Sequence, residues 1–254
     1  MQKLKLAIGL GSTCSGCDVA ILDLNEKILD LVESAEIVFW PTAMDFKLSE
    51  LERLGEGEID LGFYHGVVRT SEHEHIAHIL REKSKALMAF GSCACFGGVP
   101  GLCNLTTRED IFRTVYQDTP STVNPDFVIP KMETKLGKFT LTLPKLYQDA
   151  KELHQVVEVD YFLPGCPPVV ELIEKLIPIL KLIQAGELPP KGPVIASDKT
   201  LCDECPLRKE NKSISRVVRV HKLFPTRRGA FSSRAYCAWA RRRGEGAEQN
   251  ASGL

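Results

Sequence analysis

Seven of the nine cysteines in this 254-residue chain fall in short motifs suited to metal or redox chemistry. Cys14 and Cys17 form a Cys-x-x-Cys pair in TCSGCD. Cys93 and Cys95 sit in GSCACFGG, Cys166 in PGCPP, and Cys202 and Cys205 form a second Cys-x-x-Cys pair in LCDECP. An odd number of cysteines cannot all pair as disulfides. A lone Cys-x-x-Cys reads as a thioredoxin-like redox pair or as half a zinc site. Joined by two more thiols it fits a cubane iron–sulfur cluster, which takes four thiolates and is tuned by nearby backbone N–H donors. Cys93 is a better fourth-ligand candidate than Cys95, because it lies directly at the end of an apolar run. Cys95 and Cys103 read as small buried or free residues.

The neighbours of these thiols are informative. Gly11, Gly16, Gly91, Gly97, Gly98 and Gly165 let backbone approach a bound group closely. Asp18 follows the first pair directly, and reads as a helix cap or as a proton relay or acceptor beside the cluster. His73, His75 and His78 share one predicted helix and read as a solvated face. Cys202 and Cys205 are half of an outer site, since only Cys237 lies beyond them.

The elements that must position these groups alternate. Apolar runs predict strands at 3–10, 35–40, 59–64, 86–90 and 156–163. Helical spacing predicts helices at 18–33, about 47–54, 71–84 and 168–184, with a kink at Pro178. Strands alternating with helices imply right-handed βαβ units and a mostly parallel sheet covered on both faces. Cys14, Cys93 and Cys166 then follow three different strands at the carboxyl edge, where open α/β sheets bind ligands. Residues 99–150, with Pro120, Pro125, Pro130, Pro144 and the alternating FTLTL, read as an insertion carrying a small hairpin. Residues 186–200 are a Pro/Gly-rich linker. No GxGxxG or GxxxxGK[ST] nucleotide fingerprint occurs.

Composition excludes several classes. The chain is 44% hydrophobic, 26% charged and has net charge −1, which argues against whole-chain disorder and a dedicated nucleic-acid binder. No apolar run reaches the roughly 20 residues of a membrane helix, and no signal-peptide pattern opens the chain, so a cytoplasmic location is expected. One composition shift stands out. Residues 226–254 hold six Arg, two Glu and no Lys, a charge of +4, whereas the preceding 225 residues carry −5.

TCSGC (13–17), AEIVFWPTAMDFK (35–47), GSCACFGGVPGL (91–102), PGCPP (164–168) and CDECP (202–206) together resemble the iron–sulfur small subunit of nickel–iron hydrogenases. The resemblance spans about residues 4–224. It is nearest the gamma subunit of the methyl-viologen-reducing (deazaflavin-non-reducing) hydrogenase of methanogenic and related archaea. It implies a flavodoxin-like α/β fold and a 4Fe–4S cluster on Cys14, Cys17, Cys93 and Cys166, with Cys202 and Cys205 left as a partial outer cluster site. It places the nickel–iron centre on a separate large subunit, with no catalytic residue here beyond a relay role for Asp18. It further implies electron transfer to a small iron–sulfur delta-type subunit and a heterodisulfide reductase, in methanogenesis. The complex I 20 kDa-type small subunit is the alternative of the same fold. That family carries adjacent cysteines in its first motif, whereas Cys14 and Cys17 are separated by two residues. A zinc-stabilised, non-redox module is the alternative from another class.

The expected organisation is a proximal-cluster domain at 1–188, a linker and partial outer-cluster segment at 189–225, and a tail at 226–254. The tail departs from the family, whose members continue with several more cysteines. One set of allowed codons, read from the last base of the Pro225 codon, encodes DEERCLLEQGILCLGPATRGGCGAECLW. That peptide has the four cysteines and the CLGPATRxGC core such subunits carry. The tail is therefore expected to be an out-of-frame segment near codon 225, with a natural disordered basic tail as the alternative.

Overall fold

The computed structural model describes residues 3–187, 190–192 and 194–196. Cys202, Cys205, Cys237 and the tail, and with them the expected outer site, lie outside the described residues. In chain order the elements are β1 (Leu4–Leu10), α1 (Gly16–Leu22), α2 (Ile28–Ser34), β2 (Ala35–Phe39), α3 (Leu48–Arg53), β3 (Ile59–His65) and β4 (Val68–Thr70). They continue with α4 (Ser71–Lys83), β5 (Ser84–Phe90), α5 (Gly91–Phe96), α6 (Arg108–Arg113), β6 (Glu133–Leu136), β7 (Phe139–Thr142) and β8 (Leu146–Lys151). β9 (Tyr161–Leu163), α7 (Val170–Glu174) and α8 (Leu176–Gln184) complete the set.

Five strands make one parallel sheet in the order β2-β1-β3-β5-β9. This is the flavodoxin-like order, with its switch point beside β1. Side chains alternate across the sheet as the pleat requires. Leu6, Ile8, Phe63, Met88 and Phe90 pack on one face with Ile21, Ile173, Leu176 and Leu180 from α1, α7 and α8. Ala7, Tyr64, Leu87 and Ala89 pack on the other with Leu51, Ala77 and Leu80 from α3 and α4. Both faces are buried, which is why the strands read as unbroken apolar runs.

Three expected elements are shorter than the sequence pattern implies. The helix expected at 18–33 is broken: α1 ends at Leu22, and Asn25 adopts φ 51° while its side-chain amide donates to the Asp23 carbonyl (2.9 Å). A short 3-10 turn then leads into α2. The helix expected at 168–184 divides into α7 and α8 at Lys175. Pro178 accounts for the division, because it offers no N–H to the Glu174 carbonyl and its ring crowds that oxygen. The strand expected at 156–163 begins only at Tyr161, because Val156 and Val157 continue a tight turn onto the Leu153 carbonyl (3.0 and 3.1 Å).

Asp160 closes that turn against the sheet. Its carboxylate, 1% exposed, accepts from the Leu87 N–H (2.8 Å) and pairs with Arg81 and with Lys191 (2.7 Å). Burial opposes its ionisation, but Lys191, Arg81 and the Leu87 N–H outweigh it and hold the carboxyl below its ordinary pKa. A group with a depressed folded-state pKa stabilises the fold above its unfolded value of about 4 and loses that contribution as pH falls. Asp160→Asn is expected to cost about 3 kcal/mol at pH 7, by loss of one partner of a buried ion pair. Urea unfolding at pH 7 and pH 3.5 checks it, and the difference from the parent chain should shrink at the lower pH.

The insertion after α5 contributes strands to two further pieces of sheet. β4 pairs antiparallel with β8, and β6 with β7 as an isolated hairpin. The hairpin turns at Gly137 and Lys138, with Gly137 at φ 59°, the positive value a type II′ turn needs at its first central position. The alternation in FTLTL marks this hairpin in the sequence.

Candidate metal centre

β1, β5 and β9 end at the same edge of the sheet, and each delivers cysteine there. After β1, Ser15 adopts the left-handed conformation (φ 59°) and turns the chain into α1, leaving Cys14 before the turn and Cys17 in the first helical turn. β5 runs directly into α5, which carries Cys93. After β9, Cys166 lies in the loop leading to α7. That loop is tied to α5 by the Ser92 N–H on the Gly165 carbonyl (2.7 Å) and the Gly165 N–H on the Ser92 hydroxyl (3.2 Å).

Cys14, Cys17, Cys93 and Cys166 are brought together. Burial, and then the charges of Cys93, Cys14, Asp18 and Cys166, push the Cys17 thiol up to about 12. Cys93 is raised by burial and by the charges of Cys166 and Cys14. Cys17 and Cys93, both raised by burial and by neighbouring thiols, ionise readily only with positive charge beside them. A bound metal centre supplies that charge and reverses the local pKa logic. Cys14 and Cys166 are exposed, Cys93 is half-buried and Cys17 is 7% exposed, so the set spans the boundary between solvent and core. Among the described residues, no three His, Cys, Asp or Glu side chains are spaced for a single ion. The all-thiolate donor set is nevertheless the one an iron–sulfur cluster takes.

Glycines make the room. A Cβ on Gly91, which has φ 83°, would collide with the Cys17 sulfur, and one on Gly98 (φ 52°) would come within 3.0 Å of the Cys93 sulfur. Gly91→Ala is therefore expected to cost at least about 2 kcal/mol, from strained backbone and from displacement of Cys17. It should also lower iron retention after reconstitution. Urea midpoints and iron content measured on the same sample check both effects.

Asp18 does not cap α1. The cap position is Ser15, whose side chain makes no capping bond, and Asp18 lies inside the first turn. The reason is geometric: the left-handed Ser15 starts the helix two residues earlier than the sequence pattern implies. The Asp18 carboxylate, 2% exposed, instead accepts from the Trp40 indole N–H (2.8 Å) and faces His65 Nε2 at 3.1 Å. His65, on the last residue of β3, is wholly buried, and its Nδ1 lies 3.3 Å from the Thr13 hydroxyl. Burial disfavours the Asp18 carboxylate, but His65, Trp40 and Ser15 outweigh it and hold its pKa below the ordinary value. Thr13, Asp18, Trp40 and His65 thus form one polar layer directly beneath the Cys14–Cys17 turn.

Sequence reasoning did not single out Trp40 or His65. Their signal is weak: a histidine closing the apolar run IDLGFYH, and a tryptophan just before Pro41. The other thiols lie apart from the four. Cys95 is 1% exposed, donates to the Ala89 carbonyl (3.3 Å) and is pushed up to about 12 by burial. Cys103 lies beside Asn104 in the insertion. His75 and His78 are exposed, with His75 pairing to Glu52 (3.0 Å), whereas His73 is half-buried and accepts from the Arg69 N–H.

Comparison with known proteins converges on one family. Residues 14–179 match the family model of the NADH ubiquinone oxidoreductase 20 Kd subunit. The chain is 40% identical over 239 residues to the iron-sulfur subunit of the F420-non-reducing hydrogenase of Archaeoglobus profundus, covering 92% of this chain and 74% of that protein. It is 36% identical over 243 residues to a vhu subunit of the F420-non-reducing hydrogenase of Methanocaldococcus jannaschii, covering 95% and 76%. A crystal structure of an NAD+-reducing NiFe hydrogenase in its H2-reduced state superposes with a TM-score of 0.61 at 27% identity, over 76% of this chain and 96% of the matched one. With its parallel sheet, its thiol-bearing edge and these relatives, the chain belongs to the NADH ubiquinone oxidoreductase 20 Kd subunit family, as a hydrogenase subunit of the F420-non-reducing kind.

Proposed function

We propose that this chain is the electron-transfer subunit of a cytoplasmic nickel–iron hydrogenase, holding a 4Fe–4S cluster on Cys14, Cys17, Cys93 and Cys166. The observation that carries the reading is the convergence of those four thiols at one sheet edge. When bound, the cluster supplies a one-electron redox centre. The chain's own residues shape its surroundings. Cys17 buries one side of the site, Gly91 and Gly98 clear space beside two of the sulfurs, and the exposed Cys14 and Cys166 open it toward a partner. Electrons from hydrogen oxidation on a large subunit then leave through a delta-type iron–sulfur subunit toward a heterodisulfide reductase. Asp18 sits close enough to the thiols to act on them, and its bonds to Trp40 and His65 give it a positioning role. Among the described residues no helix is long and apolar enough to cross a membrane.

Anaerobic reconstitution tests the reading. About four iron and four sulfide per chain, with one 4Fe–4S signal by electron paramagnetic resonance, are expected. Stoichiometric zinc without sulfide overturns it. Three cluster signals from the 254-residue product would overturn the proposal that residues 226–254 are out of frame, and so would a nucleotide sequence that fails to encode the cysteine-bearing peptide in the shifted frame.

A further inference from the structure

Of the 21 large hydrophobic side chains exposed among the described residues, 13 lie between Phe96 and Leu143, from the end of α5 through the insertion. They are not scattered. The β6–β7 register pairs Leu136 with Phe139 and Thr134 with Leu141, and the Leu143 N–H bonds the Met132 carbonyl (3.0 Å). Met132, Leu136, Phe139, Leu141 and Leu143 therefore share one face of the hairpin, and each is 53–65% exposed. Glu133, Lys135, Thr140 and Thr142 form the other face. A two-stranded hairpin is marginal alone, and contiguous exposed apolar area of this kind marks an interaction site.

Three observations indicate what covers it. The hairpin is rooted at the thiol-bearing edge: Lys145 exchanges hydrogen bonds with Ser71 (both 3.0 Å) at the start of α4, which follows β4 from the carboxyl end of β3. Apolar exposure also runs continuously along the chain from that edge, through Phe96, Val99, Leu102 and Leu105 at 61–85%. Finally, residues 131–145 carry four lysines and one glutamate, and Lys131 and Lys135 make no ion pair among the described residues. That charge disfavours cover by this chain's own last segment, where residues 207–254 hold twelve Lys and Arg against three Glu. It equally disfavours a second hairpin packed face to face.

We infer that the β6–β7 hairpin is a docking arm for the large hydrogenase subunit, gripping an apolar surface rimmed by carboxylates while the sheet edge presents the thiols to the same partner. The inference rests on the reading of the chain as a hydrogenase subunit.

Co-expression of the full chain with its large subunit tests it. Leu136→Ser with Phe139→Ser and Leu141→Ser is expected to lower co-purification at least about tenfold, with the melting temperature and cluster content of the free chain unchanged. Lys131→Glu with Lys135→Glu leaves the apolar face intact, and should weaken binding about threefold to tenfold with a reduced salt dependence. Amides at 132–143 should gain hydrogen-exchange protection only in the two-subunit complex. Unchanged co-purification in both variants overturns the inference, as does protection gained with the delta-type subunit alone or with rising concentration of the free chain. If the unaltered chain binds no large subunit, the hydrogenase reading itself fails, which separates the two outcomes.

Discussion

Cys17→Ser is expected to leave the chain without stoichiometric iron or sulfide and to lower hydrogen-dependent dye reduction by the assembled hydrogenase at least about 100-fold, beyond the loss typical of a residue that only supports a metal ligand. Cys17 is the most buried of the four converging thiols, and its ionisation is opposed by all three others. A serine there replaces a thiolate by a poor iron ligand in the part of the site solvent cannot repair. Cys95→Ser is the matched control. Cys95 is also buried, but it donates to the Ala89 carbonyl, a bond that a hydroxyl can also make. That variant should keep its iron and its activity and lose only about 1 kcal/mol of stability. Equal iron loss in both variants would show that burial rather than ligation decides the outcome.

The second large effect belongs to the layer beneath the thiols. His65→Leu removes the group facing the Asp18 carboxylate and leaves that charge buried with the Trp40 indole N–H as its main donor. Breaking a buried pair in this way costs about 3–5 kcal/mol. Trp40→Phe removes one hydrogen bond to a charged acceptor and should cost about 2 kcal/mol. The pairing gives a sign that can be checked. Asp18 has a depressed folded-state pKa, so the pair stabilises the fold above about pH 4 and its contribution disappears as pH falls. The deficit of His65→Leu should therefore shrink on acidification, and Asp18→Asn combined with His65→Leu should be more stable at pH 7 than His65→Leu alone. Urea denaturation from pH 7 down to about pH 3 reads both outcomes. A deficit independent of pH would mean that His65 acts only by filling space.

The thiol positions were legible because cysteine chemistry is local in sequence. A motif after each apolar run, together with the rule that open sheets bind at their carboxyl edge, was enough to bring Cys14, Cys17, Cys93 and Cys166 to one place. The parallel strands followed for the same reason, since both faces of β1, β3 and β5 are buried and leave no ambiguity of register. What escaped was set by contacts between distant residues or by single dihedrals. Asp18, Trp40 and His65 meet only because β3, α1 and the end of β2 share a corner, and no spacing rule links 18, 40 and 65. The break at Asn25 depends on one positive φ within a stretch whose apolar periodicity is uninterrupted. Tertiary bonding overrode β-propensity at Val156 and Val157, where the chain turns instead to seat Asp160 against Leu87.

β9 is three residues long, lies at the edge of the sheet, and pairs with β5 only through Met88, Ala89 and Phe90. It is also the strand that carries the chain to Cys166, about seventy residues beyond Cys93. Closing so long a loop is entropically late relative to pairing the strands nearer in sequence. A nascent chain thus presents Cys14, Cys17 and Cys93 first and gains its fourth thiol when the final strand docks. If the four thiols hold the proposed cluster, its loading then becomes a checkpoint on maturation, passed only by chains whose sheet is complete.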